Sequence, residues 1–497
     1  MPVCSHPCVP GSSRSTPHPL LTGLVVLAGL FLRLPGMFES LWFDEVFRTR
    51  VMLSGKTVRE LLLYDVHNPL YNGFMFLWVR VFGDSEVSIR TPSLLAGFAL
   101  IAMLYRWAKV RFSPWVAWFA AAWLLLSPVP VWYSTEAKNT IFTALFAVLT
   151  LVTHDRLLRE PESPRVVARA AATAVLALLC DFQLLLAILP CWLVLLLETR
   201  RTPGLGRALA VTVGVSGAIT MPWVLFKALH ISRLHRNYLG LFHLKHLLWL
   251  LCMWLPLGSV AGAPGPNMWP LYVALPALIV LPLLALGVRE AGSTPQGRLV
   301  RAGLLLPIAF YLAASFLLHA AGDSTRIYQD RNLTVIVPLF PLVLGLGIES
   351  LSRAGVRRVL AAALLGSAAI ASGLIATVKA DAWTVMAPNP DWRGAARALG
   401  PEPMISTCPL LPLRYYAPEA TLVELPEGAD PLESLEQHLS TNPTPAFTFI
   451  HNPNWNPLPE RARAEMDARY PLMERREFRS LTVEKRRTGK PAPTLPP

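Results

Sequence analysis

The chain has 497 residues, of which 53% are hydrophobic and only 15% are charged. This composition excludes an ordinary soluble globular protein and indicates a polytopic membrane protein. The formal net charge is +13. Because the arginines cluster in short loops, we interpret this charge as a determinant of membrane topology and expect no nucleic-acid partner.

The N-terminal residues 1–19 are predicted to form a disordered cytoplasmic tail. Cys4 and Cys8 are the one close pair among the six cysteines. No second pair of ligands follows them at the spacing of a zinc site, so a disordered tail is favoured over a metal site. The apolar run that comes next lacks a small-residue cleavage motif, and we interpret it as an uncleaved anchor.

Apolar segments recur along residues 20–378, each near the length of about 20 residues that a membrane-spanning helix needs. The sequence therefore predicts an all-α polytopic membrane bundle with about eleven transmembrane helices. The predicted spans are 20–38, 89–107, 114–133, 138–153, 166–180, 183–198, 208–226, 269–288, 302–320, 332–349 and 358–378.

Arginine clusters occupy alternate short loops between these spans. They lie around residues 106–111, 156–169, 200–207, 289–301 and 353–358. Positive loops stay in the cytoplasm, so the N-terminus is predicted to be cytoplasmic and the C-terminus to lie outside. Long outer loops are then expected at 39–88 and 227–268.

The segment 67–83, "HNPLYNGFMFLWVRVFG", is apolar but short and contains Arg80. A crossing here would move every later arginine cluster to the outside. We therefore interpret it as an interfacial helix on the outer membrane surface, with a true second span as the alternative.

Residues 379–490 have a different composition, in which short strand-like runs such as "AFTFI" and "REFRSLTVE" alternate with helical ones such as "DPLESLEQHL". This order predicts a small soluble α/β domain outside the membrane. The final residues, 491–497, are predicted to be disordered.

Asp44 and Glu45, in "LWFDEVFRT", lie just beyond the first predicted span. Acids at a membrane boundary are costly to desolvate, which favours a functional role. A pair of carboxylates after a membrane exit is nevertheless more often ordinary solvated charge. Other candidates on the predicted outer face could also have structural rather than functional roles. His67 could cap the interfacial helix, and Glu136 and Lys138 could form a local ion pair.

Arg233 and Arg236 lie in the basic stretch 227–245, in a predicted outer loop, where the topology rule would thin out positive charge. Guanidinium groups bind phosphate through two parallel hydrogen bonds, so these residues suit a lipid phosphate. Non-specific binding of anionic headgroups is the alternative. A carboxylate base beside convergent cations suits transfer of a group from a lipid phosphate.

Three stretches, "LWFDEVFRT", "HNPLYNGFMFLWVRVFGDSEVSIRTPSLLAG" and "SPVPVWYSTEAKNTIFTALF", together resemble the first third of the GT-C membrane glycosyltransferases. The branch in question includes protein O-mannosyltransferases, lipid A aminoarabinose transferases and rhizobial core-galacturonosyltransferases. "YQDRNLTVIVPLF" and "DWRGAARAL" resemble later landmarks of that branch. The resemblance implies a GT-C helical bundle with its active site on the outer face.

The resemblance also implies residue roles. The first-loop Asp is the expected base, here Asp44, and Glu45 would orient or tune it. The family's His-Pro-Pro segment matches His67 and Pro69, but Asn68 replaces the first Pro, which leaves any metal requirement open. The remaining matches are a later motif at Tyr133, Ser134, Glu136 and Ala137, with Lys138 in place of Arg, and an Arg that opens a late span, Arg331.

The predicted site thus comprises Asp44 and Glu45 as catalytic residues and four donor-phosphate ligands, Arg331, Arg233, Arg236 and Lys138. His67, Glu136, Tyr133 and Tyr328 are further site residues. If a divalent metal is bound, His67 and Glu136 are its candidate ligands; no cofactor is otherwise indicated.

The protein is predicted to be an enzyme of a bacterial inner membrane that transfers a sugar from a polyprenyl-phosphate-linked donor to an acceptor on the outer face. The acceptor could be a glycan, lipid or protein. A transporter or flippase of lipid-linked sugars is the main alternative. It would need charge at the middle of the spans, and Asp181 is the nearest candidate. An assembly protein is a third reading, but the tail offers no interaction motif. The sequence does not specify the sugar, the acceptor, the length of the lipid or the oligomeric state.

Overall fold

A computed structural model gives the fold of the chain. It describes residues 18–53, 68–231, 244–257, 269–321, 330–378, 390–426, 430–452 and 458–488. The chain forms two compact units. The first contains residues 1–37, 58–75 and 90–386, and the second contains residues 38–57, 76–89 and 387–497.

Helices dominate the sequence up to residue 378. They are α1 Pro19–Met37, α2 Phe43–Leu53, α3 Pro69–Phe82, α4 Glu86–Arg111, α5 Pro114–Leu126, α6 Pro128–Tyr133, α7 Thr140–Arg159, α8 Pro164–Cys180, α9 Leu185–Glu198, α10 Leu205–Ile231, α11 Leu244–Trp249, α12 Trp269–Ala291, α13 Pro295–Ala320, α14 Leu339–Ser350 and α15 Ala354–Val378. Short 3-10 segments occupy Phe182–Leu184 and Asp330–Ile336, and α11 continues through a π-helical turn, Leu250–Trp254, to Leu257.

Every predicted span lies mainly on these helices, but the span predicted at 114–133 is divided into α5 and α6. The spans predicted at 183–198 and 332–349 each begin in a 3-10 segment. Six helices in the described part of the chain are long and apolar enough to cross a membrane by length and composition: α1, α4, α7, α10, α13 and α15. Many apolar side chains on them are largely exposed, among them Phe31, Leu225, Phe316 and Ile370. The predicted multi-pass, mainly helical membrane protein is confirmed, whereas the count of eleven spans stays a prediction.

Close helix contacts depend on small residues at two points of the first unit. A Cβ atom on Gly287 of α12 would collide with the backbone carbonyl of Val343, and one on Gly347 of α14 would collide with that of Leu283. Within a membrane, helices associate by close packing rather than by hydrophobic burial, and small residues permit this approach. The two glycines therefore set the distance between α12 and α14.

The predicted interfacial segment is the helix α3. It ends at Gly83, whose φ of 78° lies in the left-handed region that favours glycine. The N–H of Gly83 donates to the carbonyl of Val79 and closes the last turn. Its helical state is thus confirmed, and its location at the membrane surface stays a prediction.

The second unit contains a five-stranded sheet in the order β2-β1-β3-β5-β4. Its strands are β1 Met404–Ser406, β2 Leu422–Glu424, β3 Ala446–His451, β4 Leu472–Phe478 and β5 Leu481–Arg487. The strand β1 runs parallel to β2 and β3, and β5 runs antiparallel to β3 and β4. The helices of this region are α16 Trp392–Arg397, α17 Leu411–Tyr416, α18 Pro431–Thr441 and α19 Glu460–Arg469.

Two apolar clusters cover this sheet. One contains Trp392 and Leu413 with Ile450 and Val483, and the other contains Leu435 and Met466 with Phe447 and Phe449. Because neighbouring residues of a strand point to opposite faces, helices lie on both sides of the sheet. The predicted small C-terminal α/β fold is present. The run "REFRSLTVE", expected as one strand, instead spans the turn of the β4–β5 hairpin, where Ser480 has a φ of 58°.

Candidate functional site

The two predicted catalytic carboxylates sit in the first turn of α2 in the second unit. Acids are favoured there because they interact well with the positive end of the helix dipole. Glu45 is 1% exposed. Its Oε2 accepts the backbone N–H of Trp42 at 3.3 Å, which is the carboxylate half of a capping box. Asp44 is half-buried and is therefore the more accessible carboxylate of the pair.

The segments on either side of α2 contact the C-terminal residues of the second unit. Tyr416 Oη accepts the backbone N–H of Leu41 at 2.7 Å and donates to Glu86 Oε1 at 3.0 Å. Arg393 Nη1 also donates to Glu86 Oε1, at 3.0 Å, and Arg393 Nη2 donates to the carbonyl of Phe38 at 2.9 Å. We call Glu86, Arg393 and Tyr416 the first-loop brace.

Two further contacts strengthen this connection. Ser40 Oγ donates to Asp391 Oδ1 at 3.1 Å, and Tyr415 Oη donates to the carbonyl of Asp84 at 2.8 Å. Burial and the nearby carboxylates of Asp84 and Glu86 raise the pKa of Tyr415, so its hydroxyl keeps its proton and acts as a donor. The loop that carries Asp44 is therefore fastened at both ends to residues 307 to 375 positions later in the chain.

In the first unit, the helix breaks between α5, which ends at Leu126, and α6, which begins at Pro128 and ends at Tyr133. Pro128 and Pro130 have no N–H to offer to the carbonyls of Leu124 and Leu126. Arg33, which is 1% exposed, donates to the carbonyl of Leu124 at 3.0 Å. Arg33 also donates to the carbonyl of Leu125 at 2.8 Å, and Ser372 Oγ donates to that of Leu126 at 2.5 Å. Side chains from two other helices thus satisfy the carbonyls freed at the break.

The predicted residues Tyr133, Glu136 and Lys138 follow this break and are all buried. Lys138 Nζ lies 3.9 Å from Glu136 Oε1, so the local ion pair predicted as an alternative role of these residues is present. Glycines of neighbouring helices approach the same loop: a Cβ atom on Gly36 would collide with Thr135, and one on Gly97 with Ser134.

A buried hydrogen-bond network lies next to these residues in the first unit. Asp181, which is 7% exposed, accepts hydrogen bonds from Asn139, Thr143 and the N–H of Gln183. Asn139 also donates to Asn68, and Gln183 donates to Asn332. We call these six residues the Asp181 network.

The structure describes only part of the predicted site. Arg331 lies in the 3-10 segment Asp330–Ile336, and its side chain is not described. Arg233, Arg236, His67 and Tyr328 fall outside the described residues. The described residues contain no group of three or more His, Cys, Asp or Glu side chains that could hold a metal ion. Of the two predicted metal ligands, only Glu136 is described.

The sequence alone does not predict most of the Asp181 network or of the first-loop brace. It indicates Asp181 only as a charge that a transporter would need. The position of Asp181 could have indicated a structural role, because it is a polar residue between the ends of two apolar runs. Arg393 lies in "DWRGAARAL", a landmark of the resemblance, and its role as a brace follows from the fold.

Comparison with known proteins bears on both units. The family model of dolichyl-phosphate-mannose-protein mannosyltransferases matches residues 66–226. ArnT from Cupriavidus metallidurans bound to undecaprenyl phosphate has a similar structure, with a TM-score of 0.55 and 14% identity. The match covers 94% of this chain and 97% of that one.

A second similar structure is the archaeal oligosaccharyltransferase AglB from Archaeoglobus fulgidus, in complex with an inhibitory peptide and a dolichol-phosphate. The TM-score is 0.51 at 11% identity, and the match covers 86% of this chain and 69% of that one. No curated protein sequence matches the chain. At these identities the similarity shows the fold. The predicted resemblance to the GT-C membrane glycosyltransferases is therefore confirmed, through the fold over most of the chain and through a family match over residues 66–226.

Proposed function

We propose that this protein is a membrane glycosyltransferase that moves a sugar from a polyprenyl-phosphate-linked donor to an acceptor on the outer face of a bacterial inner membrane. The observation that carries the proposal is that Asp44 and Glu45 have different environments in a GT-C fold. Glu45 is turned back to cap its own helix, whereas Asp44 is partly exposed on a loop held at both ends.

In the proposed reaction, Asp44 accepts the proton of an acceptor hydroxyl. The hydroxyl oxygen forms a bond to the anomeric carbon, and the bond between that carbon and the phosphate oxygen breaks. The lipid phosphate then leaves with an additional negative charge. Arg331 and Lys138, with Arg233 and Arg236, are proposed to stabilise this charge, because cations that tighten on the leaving group lower the barrier.

Replacement of the base tests the proposal. We expect Asp44→Asn to lower turnover by about 10²–10⁴ while the protein stays folded, because a positioned base contributes a factor of that size. Turnover is measured with the purified enzyme and a panel of synthetic polyprenyl-phosphate sugars. Glu45→Gln should lose less, because its proposed role is to hold α2 rather than to take the proton.

Asp430→Asn is a matched control. Asp430 caps α18 through the N–H groups of Leu432 and Glu433, and Asn caps a helix about as well as Asp. This variant should keep wild-type turnover. Near wild-type turnover of Asp44→Asn would reject Asp44 as the base, and flipping of a lipid-linked sugar without transfer would favour the transporter alternative.

The proposed phosphate ligands are tested at Arg331. Arg331→Ala should lose most of the turnover at saturating donor, and Arg331→Lys should recover only a part, because an ammonium keeps the charge but not the paired hydrogen bonds of guanidinium. Changes at Arg233 or Arg236 should raise KM for the donor first. If Arg331→Ala turns over like the wild type, the phosphate is bound by other residues.

A further inference from the structure

We propose that Asp181 is a positioning residue for the lipid-phosphate site, acting through the Asp181 network. The inference rests on the proposed function, because it concerns how the residues proposed to bind the donor are held. Asp181 stands at the end of α8 and caps the following 3-10 segment through the N–H of Gln183, at 2.9 Å from its Oδ1.

The second carboxylate oxygen joins this helix end to α7. Asp181 Oδ2 accepts a hydrogen bond from Asn139 Nδ2 at 2.9 Å and another from Thr143 Oγ1 at 2.6 Å. These bonds connect residues about 40 positions apart in the chain. One carboxylate thus receives three donors from two separate parts of the first unit.

The network continues from there to two more segments. Asn139 Nδ2 donates to Asn68 Oδ1 at 3.2 Å, and Gln183 Nε2 donates to Asn332 Oδ1 at 2.8 Å. Asn68, Asn139, Asp181 and Asn332 are each less than 9% exposed. Water therefore has little access to replace a hydrogen bond lost among these four residues, whereas Gln183 is half-buried.

Two members of the network are direct sequence neighbours of proposed phosphate ligands. Asn139 follows Lys138, and Asn332 follows Arg331. Consecutive Cα atoms are about 3.8 Å apart, so a fixed Asn confines the backbone of the residue before it. The network thereby sets the relative backbone positions of two residues proposed to form the site, which are widely separated in sequence.

A carboxylate suits the central position because it accepts hydrogen bonds through both oxygens and donates none. In Asp181→Asn, the new NH₂ group faces either the two side-chain donors or the N–H of Gln183. At least one buried donor then loses its acceptor. The segments can satisfy that donor only by shifting, which moves the backbone beside Lys138 or Arg331.

Binding of undecaprenyl phosphate to the purified full-length protein in detergent tests the inference without knowledge of the sugar. We expect Asp181→Asn to weaken this binding about tenfold or more, which corresponds to about 1.4 kcal/mol. Gln183→Ala, which removes only the bond to Asn332, should weaken it about threefold, since one of several constraints is lost. It also provides a milder variant if Asp181→Asn does not fold.

Asp155→Asn serves as the matched control. Asp155 is a fully buried aspartate near the other end of α7, where it accepts hydrogen bonds from Trp107, Arg111 and Arg159. This variant should lose thermal stability but bind undecaprenyl phosphate like the wild type. A general loss of stability is thus separated from a loss of positioning.

The reciprocal exchange supplies a second readout. Asn139→Asp alone places two carboxylates side by side and should impair lipid binding, whereas Asn139→Asp combined with Asp181→Asn restores one acid and one amide and should recover part of it. The inference is overturned if folded Asp181→Asn binds the lipid like the wild type, or if Asp155→Asn loses as much affinity. An absence of sugar transfer in every variant and in the wild type would reject the proposed function, whereas the lipid-binding results would still test the role of Asp181.

Discussion

The Asp181 network and the first-loop brace hold two groups of predicted site residues by different means. In the Asp181 network, the three hydrogen bonds donated by Asn139 and Thr143 are buried, and the two donated by Gln183 are partly buried. The brace is built around an ion pair whose side chains are 37% exposed at Arg393 and 18% exposed at Glu86. The first belongs to the first unit and the second to the second unit.

This difference has energetic consequences. In a buried network, a donor that loses its acceptor destabilises the fold by the full free energy of its desolvation, so a single substitution forces a rearrangement. In a partly exposed ion pair, water and salt replace a lost partner at little cost. Substitutions in the segments beside the proposed phosphate ligands should therefore have large effects. Substitutions in the brace that holds the proposed base should have small effects.

Among the changes that test this comparison, Gly97→Ala in the buried region is expected to have the largest effect. The added methyl group would collide with Ser134 Oγ, which donates to the carbonyl of Pro130 at 2.5 Å. Overpacking should cost about 1–3 kcal/mol of stability. Displacement of the loop before Glu136 should lower turnover about tenfold to 100-fold, since small misplacements have effects of that size.

Thermal unfolding and turnover of purified protein measure both quantities for Gly97→Ala. Gly73→Ala is the control, because a Cβ atom at Gly73 of α3 meets nothing within 4 Å. That change should leave turnover unchanged and leave stability equal or higher, as Ala favours a helix over Gly. Wild-type behaviour of Gly97→Ala would contradict the claim that the buried region cannot adjust.

A smaller effect on turnover is expected from Thr143→Val, which removes one donor to Asp181 and keeps the shape of the side chain. Hydrogen bonds to charged groups contribute about 1.5–3 kcal/mol, so we expect a loss of stability in this range. KM for the donor should rise more than turnover falls, since the change affects the position of the phosphate ligands. Thr143→Ser retains the hydroxyl and should restore both values, and failure to do so would attribute the effect to packing.

These contacts also show what the sequence could and could not predict. Most apolar runs predicted the helices correctly because a chain in a membrane must satisfy its backbone groups within each segment. The run 114–133 is instead two helices, since Pro128 and Pro130 cannot donate the backbone hydrogen bonds that would continue the first one. The Asp181 network joins residues 42, 71 and 149 positions apart. Nothing in the local pattern relates such residues, and the network becomes visible only when the helix ends are placed together.

Local chemistry was also ambiguous at two points. Asp44 and Glu45 are adjacent carboxylates, and only the backbone conformation decides that Glu45 turns back to the N–H of Trp42. In the β4–β5 hairpin the turn has Ser480 at a positive φ, where Gly or Asn would have marked it. The sequence thus offered no turn signal within "REFRSLTVE".

Removal of the charge in the first-loop brace should have a moderate effect. Glu86→Gln keeps an oxygen that can accept from Tyr416 but loses the ion pair with Arg393, which should cost less than about 1 kcal/mol. Turnover should fall by about twofold to fivefold if that loss loosens the loop that carries Asp44. KM for the lipid donor should stay unchanged. Glu474→Gln, at a more exposed ion pair with Arg476 on β4, is the control and should behave like the wild type.

The smallest expected effect is that of salt on wild-type turnover. At about 0.1 M salt the screening length is about 10 Å, and at about 1 M it is about 3 Å, so the Arg393–Glu86 pair weakens over this range. Turnover at saturating donor should fall by less than about twofold, because the pair contributes under about 1 kcal/mol. In Glu86→Gln this decrease should disappear, whereas in Thr143→Val it should persist, because the bonds around Asp181 are buried and poorly screened. An equal salt response in all three proteins would show that the ion pair does not hold the loop, and the backbone contacts of Tyr416 and Arg393 would then be what fastens it.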